Sequence, residues 1–210
     1  MKNAEFINST ISAARTIGLI DTIYLRSEGS SNIVVGDNTL WRGIYATLIS
    51  DLAPLAYRNI TGLVLANFAD DASAAIYALL QLACSPIYTI GFSSHYPSTH
   101  VQHLRNPSAL KSIERNLFVM ISALPAEHSY LCHPLLRMSQ SLSSHLGRVF
   151  VDLANGPRRG DPMGVAKHMG WNVYGSSEIA AWCVKEALGL LIGSSVPFGF
   201  IRTACGGRTR

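Results

Sequence analysis

No apolar run in this 210-residue chain is long enough to cross a membrane; runs such as residues 87–90 and 117–121 are strand length. A secretory signal is missing as well, because Lys2 is followed by polar residues and not by an apolar block. The two absences predict a soluble intracellular protein, cytoplasmic or nuclear, with no membrane partner. Charge is scarce at 14% of residues, while 48% are hydrophobic, a balance that excludes a disordered chain and supplies a core. The net charge is only +4, with scattered cations and one small cluster at Arg202, Arg208 and Arg210. That footprint is too weak to support nucleic-acid binding, and with no helix-turn-helix or zinc cluster no direct DNA contact is expected.

The four cysteines, Cys84, Cys132, Cys183 and Cys205, are far apart and form no C-x-x-C pair. They support neither a zinc site nor a disulfide framework, and reduced, packed thiols are expected. Among the seven histidines, His95, His100 and His103 fall in one polar stretch. No cysteine or carboxylate completes a ligand set there, so a solvated loop is preferred over a metal site.

Periodicity sets the expected elements. Ile7, Ile11 and Ala14 share a face, predicting a helix over residues 3–16. Strands are expected at 17–25 and 33–35 around a turn at 27–31, forming a β-hairpin. Trp41, Ile44, Leu48 and Leu52 then predict an amphipathic helix over 41–58 that Pro54 breaks or kinks. From Gly62 onward short apolar strands (63–65, 87–90, 117–121 and 149–153) alternate with helices at 72–82 and 162–169. Asp161-Pro162 supplies a cap followed by proline at the start of the second of these. A last long helix is expected over 178–193. This alternation argues for an α/β fold with a parallel, doubly wound, Rossmann-like sheet.

The turn after the first of those strands has no glycine and no cation. It reads Ala66-Asn67-Phe68-Ala69-Asp70-Asp71-Ala72-Ser73. Backbone amides at a helix start bind a pyrophosphate when glycines permit close approach. Here Phe68 blocks that approach, and Asp70 and Asp71 repel the phosphates, each by on the order of 1 kcal/mol even when partly solvated. The same two aspartates cap the helix and complement its dipole.

Gly36-Asp37-Asn38-Thr39-Leu40-Trp41-Arg42-Gly43-Ile44 resembles the G-D-N-T-D-W-x-G-I signature of the shikimate and quinate dehydrogenases, especially the fungal form. The family's Asp after Asn-Thr binds a substrate hydroxyl and works with a lysine on the departing proton. Its position is held here by Leu40, which has no lone pair and no titratable proton. The family's A-V-N-T-I matches residues 19–23, with Asp21 in place of the substrate-binding Asn, followed by Thr22. Residues 66–77 match a G-A-G-G-T-x-R-A-A cofactor loop without its glycines or its Arg. The residues after Ile90 lack the Arg that grips an adenosine 2′-phosphate. Residues 122–126 keep an S-T-I-P-A-like loop. Residues 152–157 match D-x-x-Y-x-P with Asn155 for Tyr, and counting along the last helix puts Cys183 where the family has a substrate-reaching Gln.

The resemblance implies a substrate-domain remnant (residues 1–43) carrying the partial hairpin and helix. It implies a degenerate nucleotide-binding domain with a returning helix (44–193), and a mobile basic tail (194–210). The candidate substrate-binding positions are Asp21, Thr22, Asn38, Thr39, Asn155 and Cys183. No catalytic residue, no metal and no cofactor are expected. The pattern is similar to the degenerate dehydrogenase-like C-terminal domain of the fungal quinate-pathway repressor. That likeness implies a pseudoenzyme in transcription regulation, which senses a quinate- or shikimate-type metabolite and binds the pathway's transcriptional activator. The alternatives are a divergent NADP-dependent shikimate or quinate dehydrogenase, or a truncated fragment without a role of its own.

Overall fold

The computed structural model describes residues 6–50, 52–96, 99–109, 117–138 and 147–205. Residues 3–5 of the expected first helix, and the tail residues Arg208 and Arg210, lie outside that set. The chain divides into two compact units, residues 1–47 with 177–210, and residues 48–176. The boundary expected at residue 43 therefore falls after Thr47, and the long returning helix belongs to the first unit.

The first unit opens with β1 (Ser9–Thr10), α1 (Ser12–Ile17), β2 (Thr22–Glu28), β3 (Ser31–Asp37) and α2 (Leu40–Ile49). The expected helix over 3–16 is thus a short strand followed by a shorter helix. Backbone pairing overrides the helical periodicity here: the Asn8 N–H donates to the Val34 carbonyl, and the Ile11 N–H to that of Gly36, both at 2.9 Å. The expected strand over 17–25 begins later, because α1 terminates at Gly18 (φ 80°), whose N–H donates back to the Ala14 carbonyl. β2 and β3 form the hairpin antiparallel, with Thr22 opposite Asp37 and Glu28 opposite Ser31. This register sets Asp21 beside the start of α2. That helix stops at Ile49, short of the expected 58, and a 3₁₀ turn follows at Pro54–Tyr57.

Among the described residues the second unit is a six-stranded parallel sheet, ordered Val101–His103, Ile87–Ile90, Thr61–Leu65, Leu117–Ser122, Val149–Asp152 and Asn172–Gly175. Its elements are β4 (Thr61–Leu65), α3 (Ala69–Gln81), β5 (Ile87–Ile90), β6 (Val101–His103), β7 (Leu117–Ser122), α4 (Cys132–Met138), β8 (Val149–Asp152), α5 (Pro162–His168) and β9 (Asn172–Gly175). Every residue of β4, β7 and β8 is buried, as a sheet covered on both faces requires. Leu63, Leu65, Met120, Leu136, Phe150 and Trp171 belong to one apolar cluster. The doubly wound expectation holds, and the strand order reverses between β4 and β7, where such sheets open a ligand crevice at their carboxyl ends.

The first unit closes with α6 (Ser176–Ile192) and α7 (Phe198–Ala204). Residues 198–204, expected within a mobile tail, are a helix. Phe198 stacks on Trp182 with ring centroids 3.7 Å apart, Ile201 is buried, and Arg202 pairs with Glu178 at 2.9 Å. No helix among the described residues is long and apolar enough to cross a membrane.

Candidate functional site

Asp21, Thr22, Asn38 and Thr39 converge on the first turn of α2. The Asp21 carboxylate accepts hydrogen bonds from the Thr39 N–H at 2.7 Å, the Thr39 hydroxyl at 3.1 Å, the Thr22 hydroxyl at 2.8 Å and the Leu40 N–H at 2.8 Å. Asn38 is turned inward: its Nδ2 donates to the Leu19 carbonyl at 3.3 Å, and its Oδ1 accepts from the Trp41 N–H at 3.2 Å. Each of these polar groups satisfies an amide that a helix start leaves open, or the loop leading into it. Leu40 contributes only its backbone N–H to the network.

Next to this turn lies a charged cluster that sequence reading missed. Asp37 is fully buried, and the Arg42 guanidinium donates to it at 2.8 Å; Arg42 also faces Glu186 on α6 at 3.8 Å. Burial raises the Asp37 carboxyl above its ordinary range. The Asn38 amide and Arg42 counter that rise, while Asp21 and Glu186 add to it. An i, i+5 carboxylate and guanidinium across a strand-to-helix turn is the only local signal, and Glu186 is too distant in sequence to be read with them.

Cys183 on α6 is partly buried and packs against Gly43 of α2. A side-chain carbon built on Gly43 would sit 2.5 Å from the Cys183 Sγ and 2.9 Å from the Ile179 carbonyl, so the missing side chain is what lets α2 and α6 touch. Burial, with the Asp21 charge second, pushes the thiol up to about 12. At neutral pH it stays protonated, a poor nucleophile.

Asn155 belongs to the second unit, exposed in the loop after β8. That loop is organised by the buried Asp152, which accepts from the Arg158 Nε at 2.5 Å and the Ala154 N–H at 3.1 Å. Arg158 returns a bond to the Ala154 carbonyl at 3.0 Å.

The turn from β4 into α3 carries the residues in the cofactor position. Ala66 is buried, and Phe68 is extended at φ −133° and 69% exposed. Phe68 is also the helix N-cap residue, its side chain making no cap bond, and Asp70 and Asp71 stand in the first turn, where they complement the dipole. Asn67 Nδ2 lies 2.9 Å from His128 Nδ1. The residues present do not fit a dinucleotide pyrophosphate: an exposed aromatic stands at the cap and two carboxylates where phosphate charge would fall.

Among the described residues no group of three or more His, Cys, Asp or Glu could hold a metal. His103 is on β6 and not in a loop, with Nδ1 3.4 Å from the Thr89 hydroxyl; His100 Nδ1 is 2.8 Å from the Ser85 hydroxyl.

The dehydroquinate dehydratase and shikimate dehydrogenase portion of Schizosaccharomyces pombe AroM superposes with a TM-score of 0.80 at 26% identity, over 96% of this chain and 40% of that one. The fold is that of a shikimate dehydrogenase. Shikimate dehydrogenases from Aquifex aeolicus (TM-score 0.67, 16% identity, 96% of this chain and 71% of that one) and Mycobacterium tuberculosis (0.69, 14%, 96% and 73%) share it. In sequence the chain is 27% identical over 207 residues to the pentafunctional AROM polypeptide of S. pombe and 26% over 184 residues to that of Komagataella phaffii. These matches cover 92% and 83% of this chain but only 13% and 12% of the relatives' length. No protein-family model matches.

Proposed function

We propose that this chain is a non-catalytic regulatory domain built on the shikimate dehydrogenase fold, of the kind found in quinate-pathway transcriptional repression. The carrying observation is the first turn of α2. The position from which the fold's general base would act is Leu40, and the neighbouring carboxylate, Asp21, already accepts four hydrogen bonds from its own chain. A general base must be free to take a proton from substrate, and losing one such group costs ~10²–10⁴ in rate. The turn after β4 supports the same reading, because it offers a phosphate no cation.

In this reading Asp21, Thr22, Asn38, Thr39 and Cys183 of the first unit, and separately Asn155 of the second, are remnants of polyol-binding positions. They retain at most a weak response to a quinate- or shikimate-type metabolite. Output is by contact with the pathway's activator protein inside the cell, in cytoplasm or nucleus, without NADP and without touching nucleic acid. The test is an activator pull-down with and without quinate, alongside an assay for NADP-dependent oxidation of shikimate and quinate. Activator capture without turnover supports the proposal; turnover sinks it. A divergent dehydrogenase is the second reading, favoured by the similarity to AROM over 92% of the chain. It requires a base other than residue 40.

A further inference from the structure

Where β4 and β5 end, the second unit folds its own residues over the carboxyl edge of the sheet. β5 exits through Gly91 at φ 92°, and a side-chain carbon built there would lie 2.2 Å from the Ala66 carbonyl oxygen, so the two strand exits touch backbone to backbone. Phe92 follows and is buried, its carbonyl accepting from the Thr89 hydroxyl at 3.1 Å. The loop then crosses to α3, where the Tyr96 hydroxyl donates to the Ser73 carbonyl at 3.0 Å. The Tyr96 N–H donates to the Ser94 hydroxyl at 3.1 Å, fixing the turn that delivers the ring. Burial, and Tyr77 second, raise the Tyr96 phenol well above its ordinary value, consistent with an enclosed ring. On the other flank the Asn67–His128 contact joins the end of β4 to the segment after β7.

We propose that residues 91–96 are an intramolecular plug, with Phe92 and Tyr96 filling the groove between the end of β5 and α3, and Asn67–His128 clamping its β7 side. In a doubly wound sheet that groove receives the sugar of a nucleotide, next to the helix start that receives its phosphates. A groove left open would expose apolar strand ends to water, so a unit without a nucleotide gains stability by covering them itself. The inference rests on the reading that this unit has given up its cofactor, and extends it: the cofactor's place is taken by the chain.

The test is Tyr96→Phe, which keeps the ring and removes one hydrogen bond, followed by thermal melting and amide hydrogen exchange. A drop in Tm of roughly 2–4 °C is expected for one lost neutral hydrogen bond in a chain of this size. Exchange should rise about five-fold in residues 66–73 and 91–96 and stay unchanged in β8 and α5. An unchanged Tm and unchanged exchange in the variant overturn the plug, as does wild-type exchange in 91–96 at the rate of an unstructured peptide. NADPH titration separates the two claims. Saturable NADPH binding by the wild type overturns the parent reading, whereas an unprotected loop in a chain that binds no NADPH sinks the plug alone.

Discussion

The Asp21 carboxylate is engaged by donors of its own chain. It accepts from the donors nearest at hand, the Thr39 and Leu40 amides at the start of α2. Asp21→Ala should therefore behave as the loss of a helix cap, costing about 1 kcal/mol and lowering the denaturation midpoint without changing the slope. Asp37 makes a prediction of opposite character. Its carboxyl is raised in the folded state by burial, so the folded chain holds that proton more tightly than the unfolded one. Its contribution to stability is then greatest below the ordinary carboxylate value of about 3.8 and declines as pH rises through the higher folded value. Melting wild type and Asp37→Asn in parallel from acid to neutral pH should show the wild type losing ground to the variant across that window. A wild type that instead gains on the variant with rising pH would show that Arg42 outweighs burial.

At the scale of elements, what the sequence made legible follows from where the energy lies. Residues 117–122 and 149–152 could be read because both faces of those strands are buried and both must be apolar. α5 was legible from Asp161-Pro162, and the Asp161 carboxylate does accept from the Gly164 N–H at 2.8 Å. The strands β1, β6 and β9 were not, because they are short and lie at sheet edges, where the partner's backbone determines the pairing. α7 escaped for a similar reason: its order comes from Phe198 stacking on Trp182, a long-range contact that composition does not reveal. Within the site, Leu40 and the glycine-free turn were readable as departures from a pattern. The Asp37–Arg42–Glu186 cluster was not, since only the fold brings residue 186 to residue 42. The contact between α2 and α6 gives an element-level test. Gly43→Ala forces a methyl against both the Cys183 Sγ and the Ile179 carbonyl, and adding Cys183→Ala relieves only the first. Overpacking of this kind costs roughly 1–3 kcal/mol, and the double variant should recover part of that loss in a urea titration. Full recovery would show that the backbone carbonyl is free to move.

On the proposed reading, the parts that specify a shikimate dehydrogenase fold and those that would run its chemistry have separated across the molecule. The parallel sheet, the β2–β3 hairpin and the α2–α6 contact are present, while the departures from the family pattern fall at the turn into α2, the turn into α3, the segment after Ile90, Asn155 and Cys183. Fold and function are carried by different residues, which is why a likeness over 96% of the chain coexists with Leu40 and with Asp70 and Asp71. The most direct test of that separation is calorimetric titration of the cooperatively folded chain with NADPH, alone and with shikimate or quinate present. The account predicts no saturable heat. Micromolar, saturable NADPH binding would contradict it and return the chain to the working dehydrogenases.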